Sequence, residues 1–509
     1  MKRCLIVFAL AFVLTLSACS YAGGSYDMWD GAALAPGQSE SGNTEEYNEI
    51  VEQGFLPASQ FPLSTFSIDV DTASYTNVRN LIQQGLPVEP DAVRIEEFLN
   101  YFDYDYEQPA DGEAFSVRTE VASTPWNPKT QLLSIGIQGK TVAAEELAPS
   151  NLVVLVDVSG SMDAINKLPL VKRAVCLLAD RMQADDYLTV YAYSNACRYI
   201  TGGGAQQADQ IKRAVNALSA GGGTGGYNAL QIAYDAAAQH YLAQGNNRVI
   251  IASDGDFNIG PSSQEELKAL VQSKGESGIY LTCLGFGRGN YKDNRMETMA
   301  QYGNGNYYYV DSADEADRLF TSGLSGMLHV IAKDVKVQLD FNPAFVKGYR
   351  LIGYDNRLLS SEDFADERAD AGEMGSGHRV TVLYEVVPAG SDFELAPVQG
   401  GGTDQSSLTD QVAQLRVRYR LPDQQPGETS REFVRDIDWA GSDGMSQTLR
   451  FQAALTQFAM ILRNSRYSGT STLTGCIEEL EALSAYLSSD PQKVELLNLV
   501  KLYAQSQQQ

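Results

Sequence analysis

Histidine, basic residues and long apolar runs are all scarce in this chain of 509 residues. The three histidines, His240, His329 and His378, share no short motif, which argues against histidine-based zinc sites and histidine-based catalysis. Lysine and arginine total 38 against 64 aspartates and glutamates, so the net charge is −26. Because such an acidic surface repels phosphate backbones, nucleic acid is not expected as a partner.

No apolar run beyond the first twenty residues reaches about 18 residues, so we expect no membrane-spanning helix in the rest of the chain. The start of the chain is different, because Lys2 and Arg3 precede an apolar run over residues 5–16. A basic start, a short apolar stretch and small residues are typical of a secretory signal.

The segment Leu16-Ser17-Ala18-Cys19 resembles the end of a bacterial lipoprotein signal. The resemblance implies that residues 1–18 are removed and that Cys19 carries lipid. We therefore expect a lipid-anchored protein of the cell envelope. In lipoproteins of Gram-negative hosts, an aspartate after the lipidated cysteine is associated with retention in the inner membrane. Because residue 20 is a serine, the resemblance implies the outer membrane.

Cysteine constrains the fold weakly. Four cysteines follow Cys19, at Cys176, Cys197, Cys283 and Cys476. Export permits disulfides, but four cysteines in about 490 residues are too few for a fold that depends on a network of disulfide bonds. Buried thiols and a single bridge both remain open.

The chain up to residue 148 divides into a tether and an N-terminal extension. Residues 19–60 are rich in Gly, Ser, Ala, Glu and Asn, and we interpret them as a flexible tether. In the extension, 61–148, strands are predicted at 66–70, 115–122 and 131–138. Asp71 or Thr72 is in position to cap a helix near 73–84.

Residues 149–332 alternate between strand and helix patterns. Strands are predicted at 152–157, 187–193, 248–253, 279–284 and 306–310. The first and third are nearly continuous apolar runs, as expected for parallel strands covered on both faces. This region is therefore predicted to be an α/β domain with a doubly wound, mostly parallel sheet.

The region 333–445 is rich in predicted strands, and 446–509 is predicted to be helical. The strands are expected at 334–341, 348–353, 379–387, 413–420 and 432–438. Because two strands alone are marginal and sheet edges need partners, we expect these strands and 115–138 to form one β-sandwich. The α/β domain would then be an insertion in the sandwich, with additional N- and C-terminal helices. Two independent β modules are the alternative.

Oxygen-bearing side chains follow the apolar strands of the α/β domain. Asp157 ends the first strand and is followed by Ser159 and Ser161, while Asp254 follows the strand 248–253. A glycine-rich loop carries Thr224. Ligands bind at the carboxyl ends of the strands in such sheets, and oxygen-only ligands suit a hard cation such as Mg²⁺.

Taken in order, these five residues resemble the metal-ion-dependent adhesion site of the von Willebrand factor type A domain. The match covers about residues 150–330 and implies a Rossmann-like fold. It also implies Mg²⁺ or Mn²⁺ with Ser159, Ser161 and Thr224 as direct or near-direct ligands. Asp157 and Asp254 would often act through water. The alternative is a degenerate copy of the site that is kept for the fold alone.

The flanking regions resemble those of bacterial von Willebrand domain lipoproteins of one architecture. The segments that carry this resemblance are Ser64–Tyr75, Phe341-Asn342-Pro343 and Tyr349–Tyr354. The resemblance therefore spans nearly the whole mature chain, and it implies no well-defined activity for the extensions.

Neutral hydroxyl ligands would leave most of the charge of a bound ion uncompensated, which favours an incoming carboxylate from another protein. We therefore expect a non-enzymatic binding protein whose partner presents an acidic side chain. Asp163 and Asp256, beside the site, are expected to be solvent-exposed rather than ligands of a second ion.

Two other functions remain open. One is a structural envelope protein whose ion only stiffens loops. The other, less favoured, is a magnesium-assisted hydrolase. Against it, the chain has no G-x-S-x-G, no P-loop Gly-Lys-Ser/Thr and no H-E-x-x-H motif.

Overall fold

The structure of the protein is a computed structural model. It describes residues 45–508 except 224–227, 256–263, 289–291, 399–401, 403, 425–426, 438 and 440–443. Within this described part, no helix combines the length and the apolar character needed to cross a membrane. The expected signal, Cys19 and the expected tether up to residue 44 lie outside the described residues. The rest of the tether prediction, 45–60, is wrong toward its end, because Leu56 and Pro57 pair with Tyr349 and Gly348 and Ala58 is fully buried.

The strands of the described residues belong to three sheets. In chain order they are β1 Leu56–Pro57, β2 Leu63–Ser67, β3 Phe115–Ser123, β4 Gln131–Gly139, β5 Ser150–Asp157, β6 Tyr187–Tyr193, β7 Cys197–Gly204, β8 Asn246–Ser253, β9 Ile279–Phe286, β10 Tyr307–Val310, β11 Val330–Phe341, β12 Val346–Ile352, β13 Gly372–Gly375, β14 Arg379–Pro388, β15 Ala413–Arg420 and β16 Arg431–Ile437.

The α-helices cover the faces of these sheets and fill the C-terminal region. They are α1 Ala73–Gln83, α2 Ile95–Tyr101, α3 Leu168–Arg181, α4 Ala208–Asn216, α5 Ala229–Gln239, α6 Gln264–Glu276, α7 Asp293–Tyr302, α8 Ala313–Thr321, α9 Leu324–Leu328, α10 Ser361–Ala365, α11 Gln447–Leu462, α12 Leu473–Ala482, α13 Ser484–Leu487 and α14 Pro491–Ser506.

The central sheet has the order β10-β9-β8-β5-β6-β7, and neighbouring strands in it are parallel except β6 and β7, which are antiparallel. All eight residues of β5 are buried, because helices cover both faces of the sheet. Val154 and Val156 pack with residues of α3, α4 and α8, whereas Val153 and Leu155 pack with residues of α5, α6 and α7. The doubly wound, mostly parallel α/β fold is confirmed.

The antiparallel edge strand β7 was missed by the sequence analysis. It pairs with β6 and ends in Gly202, Gly203 and Gly204. Glycine is depleted in strands, since it has no side chain to pack and loses much backbone entropy. The pairing with β6 outweighs this weak local preference.

The remaining strands form a two-sheet sandwich. One sheet has the order β1-β12-β14-β4-β3; the other has the order β13-β11-β15-β16, with β2 also paired to β11. Their inner faces share one apolar core that includes Ile135 on β4, Val337 on β11 and Val382 on β14. The core therefore joins strands that precede the α/β domain to strands that follow it.

The α/β domain is an insertion in this sandwich, as expected. β4 pairs with β14 from Gln131↔Val386 to Gln138↔Arg379, and β2 pairs with β11. Gly139, the last residue of β4, lies against Ile331, the second residue of β11: a Cβ added to Gly139 would be 2.8 Å from Cδ1 of Ile331. The chain therefore leaves the sandwich and re-enters it at one place. Adjacent ends are the condition under which a domain insertion is tolerated.

Helix α1 runs along β10, the edge strand of the parallel sheet. The Asp71 carboxylate accepts a hydrogen bond from the Tyr307 N–H at 2.8 Å, and the Thr76 hydroxyl donates to the Tyr309 carbonyl at 2.8 Å. The N-terminal extension thereby covers an edge that would otherwise offer unpaired backbone groups. The predicted capping role is wrong, because Asp71 contacts β10 and the Thr72 side chain makes no capping bond.

Two buried ion-pair clusters hold the extension to the α/β domain. In the Arg79 cluster, Arg79 contacts Asp311 at 2.6 Å and Glu315 at 3.2 Å. In the Arg94 cluster, Arg94 contacts Asp293 at 2.7 Å and also pairs with Glu97. The α/β domain is thus attached by side chains as well as by its two chain connections.

The C-terminal helices pack against the N-terminal helix α2. The shared core includes Phe98 of α2 and Phe102 just after it, Phe451 and Leu455 of α11, and Leu496 of α14. The cysteines Cys176, Cys197, Cys283 and Cys476 are all free thiols, which settles the open question about bridges among these four.

Candidate metal centre

The candidate centre lies where β5 and β8 end, in the middle of the parallel sheet. The two strands pair in parallel up to Val156↔Ala252, so Asp157 and Asp254 follow at the same edge. Asp157 is fully buried and Asp254 is 1% exposed. Apolar strands of matched register therefore place both carboxylates at the same edge of the sheet.

The carboxylate of Asp157 accepts hydrogen bonds from Ser159, Tyr193 and Ser253. Its Oδ1 accepts from the Ser159 N–H at 2.8 Å, and its Oδ2 accepts from the Tyr193 and Ser253 hydroxyls, each at 3.0 Å. Burial raises the pKa of Asp157, and the negative charge of Asp254 acts in the same direction. A cation at this edge would offset both effects.

The turn after β5 places two serine hydroxyls together. The Oγ atoms of Ser159 and Ser161 lie 2.9 Å apart, with Ser159 buried and Ser161 exposed. Ser159 precedes a short 3₁₀ turn, Gly160–Met162, which contains Ser161 and is anchored by the fully buried Met162 side chain. The hydroxyl pair therefore connects the buried carboxylate to the surface.

The glycine loop that leads to Thr224 is hydrogen-bonded to this turn. The Gly160 N–H donates to the Gly222 carbonyl at 3.0 Å, and the Gly221 N–H donates to the Val158 carbonyl at 2.9 Å. Gly222 has φ +87°, which an L side chain rarely adopts. Thr224 itself lies outside the described residues, so its position relative to the other four predicted residues stays a prediction.

A lysine that sequence analysis missed also faces this edge. The Lys167 ammonium lies 2.9 Å from Oδ2 of Asp254, and the Lys167 side chain is only 10% exposed. Tyr193 and Ser253 were missed as well. Tyr193 ends β6, next to β5, and Ser253 ends β8. Their place at the ends of strands was the available signal.

The residues present fit a hard divalent cation. Two carboxylates and two hydroxyls meet at one edge, and all their donor atoms are oxygens. Among the described residues, no group of three or more histidine, cysteine, aspartate or glutamate side chains could hold a metal ion. An ion at this edge would therefore depend on the serine hydroxyls. Asp163 is exposed, and Asp256 lies outside the described residues.

Three family models match the chain. The model described as von Willebrand factor type A domain matches residues 151–322, and the one described as von Willebrand factor matches residues 41–134. The model described as uncharacterized protein YfbK, C-terminal, matches residues 326–506. The matched ranges correspond to the α/β domain and to the regions on either side of it.

Individual proteins show the same pattern. Uncharacterized protein YfbK of Escherichia coli strain K12 is 36% identical over 436 residues, which cover 83% of this chain and 75% of that protein. Inter-alpha-trypsin inhibitor heavy chain H3 of Mesocricetus auratus is 30% identical over 177 residues, which cover 33% of this chain and 20% of that protein. The solved von Willebrand factor type A structure from Catenulispora acidiphila is 14% identical, with a TM-score of 0.41, covering 78% of this chain and 89% of that one.

Proposed function

Since the chain belongs to the YfbK family of bacterial von Willebrand factor type A proteins, we propose that it binds a partner protein through a divalent metal ion held at the Asp157 edge. Domains of this type commonly mediate protein–protein interactions, often with a metal ion. The observation that carries the proposal is the meeting of Asp157, Ser159, Ser161 and Asp254 at the ends of two paired strands.

In this proposal each residue of the chain has a distinct part. Asp157 and Asp254 supply negative charge from the buried side, and Ser159 and Ser161 supply neutral oxygen atoms from the turn. Thr224 would add a third hydroxyl from the glycine loop. The ion, Mg²⁺ or Mn²⁺, would supply an open position for a carboxylate of the partner.

Calorimetry of Mg²⁺ and Mn²⁺ binding to the full chain tests the metal site. Asp157→Ala should abolish binding, while Asp163→Ala, which removes an exposed carboxylate two residues beyond Ser161, should leave it unchanged. Equal affinity in the wild type and in the Asp157 variant would refute the site.

Capture of envelope proteins with and without a chelator separates binding from a purely structural ion. If the ion serves as a bridge, Thr224→Ala should fold with the thermal stability of the wild type and yet lose chelator-sensitive capture. If the ion is purely structural, we expect the opposite result for Thr224→Ala: the variant still captures the partner, but its thermal stability falls. Hydrolytic turnover of phosphoesters or peptides that requires Mg²⁺ would favour an enzyme instead.

We also propose that the protein is anchored to the cell envelope by lipid on Cys19, in the outer membrane of a Gram-negative host. The support is the Leu16-Ser17-Ala18-Cys19 segment after a basic and apolar start. Cys19→Ser should move the protein out of the detergent-extracted membrane fraction, whereas Cys4→Ser should not. An unchanged distribution of the Cys19 variant would contradict lipid anchoring.

A further inference from the structure

Lys167 brings a positive charge to the oxygen-lined edge of the sheet. Its ammonium lies 2.9 Å from Oδ2 of Asp254, and the two side chains are 10% and 1% exposed. The pair therefore has little access to water, and its electrostatic effect on the edge is screened much less than that of a surface pair.

The path of the Lys167 side chain is set by the surrounding structure. Its methylenes pass directly over Gly287, just after β9. A side chain at residue 287 would collide with them, because its Cβ would lie 2.2 Å from Cε of Lys167. Gly287 also has φ +72°, a conformation that suits glycine. The main chain of Lys167 is held too, because its carbonyl accepts hydrogen bonds from the N–H groups of Leu170 and Val171 in the first turn of α3.

The charges at this edge determine what Lys167 would do to a bound ion. Among the described side chains of the edge, Asp157 and Asp254 contribute two negative charges, Lys167 contributes one positive charge, and the serine hydroxyls contribute none. With a divalent cation these charges sum to one positive charge, whereas without Lys167 they would sum to zero. A neutral site gains little from an additional anion, while a positive one attracts it.

We infer that Lys167 is a positioning residue that acts through Asp254 to couple metal binding to partner binding. The lysine lowers the affinity of the edge for the metal ion alone. It also increases the factor by which a partner's carboxylate strengthens metal binding. By thermodynamic reciprocity, the carboxylate then strengthens metal binding by the factor with which the metal strengthens carboxylate binding. This inference rests on the proposed function, because it requires an ion at Asp157 and Asp254.

The test compares Mg²⁺ affinity in the wild type and in Lys167→Met, a variant of similar length without the charge. Calorimetry is performed on the full chain in sodium chloride and in sodium acetate at equal ionic strength, with acetate as the carboxylate probe. We expect the variant to bind Mg²⁺ at least about tenfold more tightly in chloride, since one nearby positive charge is gone. Acetate should strengthen Mg²⁺ binding clearly in the wild type and much less in the variant.

Lys172→Met, on α3, is the matched control, since it removes the same charge from a lysine that donates to the Asn216 carbonyl. It should leave both the affinity and the acetate effect unchanged. Lys167→Gln serves as a second variant, with a thermal melt of each protein to verify folding. If the wild type binds no Mg²⁺ or Mn²⁺, the proposed function fails together with this inference. If it binds Mg²⁺ and the folded Lys167 variants show the same affinity and acetate effect, this inference alone is overturned.

Discussion

At the scale of single residues, the Asp157 carboxylate depends on hydroxyls from the strands on either side of it. Tyr193 ends β6 and Ser253 ends β8, and each donates to Oδ2 at 3.0 Å. Such supporting hydrogen bonds orient a metal ligand, and their loss typically weakens metal affinity about 10–100-fold.

Ser253→Ala should therefore weaken Mg²⁺ binding about tenfold while the protein stays folded, because the Tyr193 hydroxyl still holds Asp157. Calorimetry of the full chain measures the change. Ser277→Ala is the control, since that exposed hydroxyl bonds only the Lys274 carbonyl among the described residues. Equal affinities in the two variants would show that Ser253 does not support the site.

Glu96 in α2 is a second residue with a testable consequence. It is 2% exposed, and its Oε2 has no hydrogen-bond partner among the described residues. Burial raises the pKa of Glu96 from 4.5 to about 7, and the negative charges of Asp355 and Asp69 act in the same direction. The folded protein therefore favours the protonated carboxyl, and this stabilising contribution is lost as the pH rises from 4.5 through 7.

Glu96→Gln, which is neutral at every pH, should accordingly stabilise the protein at pH 8. The upper limit is about 3 kcal/mol, the free energy that corresponds to the pKa shift, and the gain should disappear near pH 4.5. Urea unfolding of both proteins at the two pH values measures it. Glu145→Gln, at an exposed position, should cause the same small change at both. A Glu96 variant whose advantage is independent of pH would contradict this account.

At the scale of secondary-structure elements, α1 depends on the Arg79 cluster. Arg79 donates to both carboxylate oxygens of Asp311, at 2.8 and 2.6 Å, and its side chain is 5% exposed. It also contacts Glu315 in α8 and Glu495 in α14. One arginine thereby connects the N-terminal extension, the last part of the α/β domain and the C-terminal helix.

Arg79→Met should cost about 3–5 kcal/mol of stability, since it leaves the buried Asp311 carboxylate without its arginine partner. Arg173→Met is the matched control, because Arg173 makes the same two-pronged contact with Asp317 on exposed surface and should contribute little. Urea unfolding compares the two. Similar losses in both variants would show that burial of the Arg79 cluster is not what makes it important.

The sequence indicated most of the strands and helices, but not the side-chain contacts between elements. The apolar runs of β5 and β8 predict buried parallel strands, and the fixed spacing of Asp157, Ser159 and Ser161 identifies the turn. Lys167 lies beside Asp254 although 87 residues separate them, and no local pattern encodes that contact. The cap predicted at Asp71 or Thr72 is wrong for the same reason, since Tyr307, which donates to the Asp71 carboxylate, lies 236 residues away.

At the scale of the whole molecule, the sandwich makes the two flanks of the α/β domain depend on each other. β4 pairs with β14 over eight residues, β2 pairs with β11 over five, and one apolar core lies between the two sheets. Neither flank can bury that core alone. Antiparallel pairing of this length and a shared apolar face are sufficient for a stable sheet without the inserted domain.

Residues 20–148 and 329–509, expressed together as separate chains, should therefore associate and copurify. The second fragment begins at residue 329 because β11 starts at Val330. Arg79 and Arg94 lose their partners in the α/β domain, but the fragments retain Glu495, which pairs with Arg79, and Glu97, which pairs with Arg94. Leu133→Asp, which puts a charge at a fully buried position of β4, should abolish the association. Two folded fragments that elute separately would show that each flank folds on its own, because a shared core cannot form from one side.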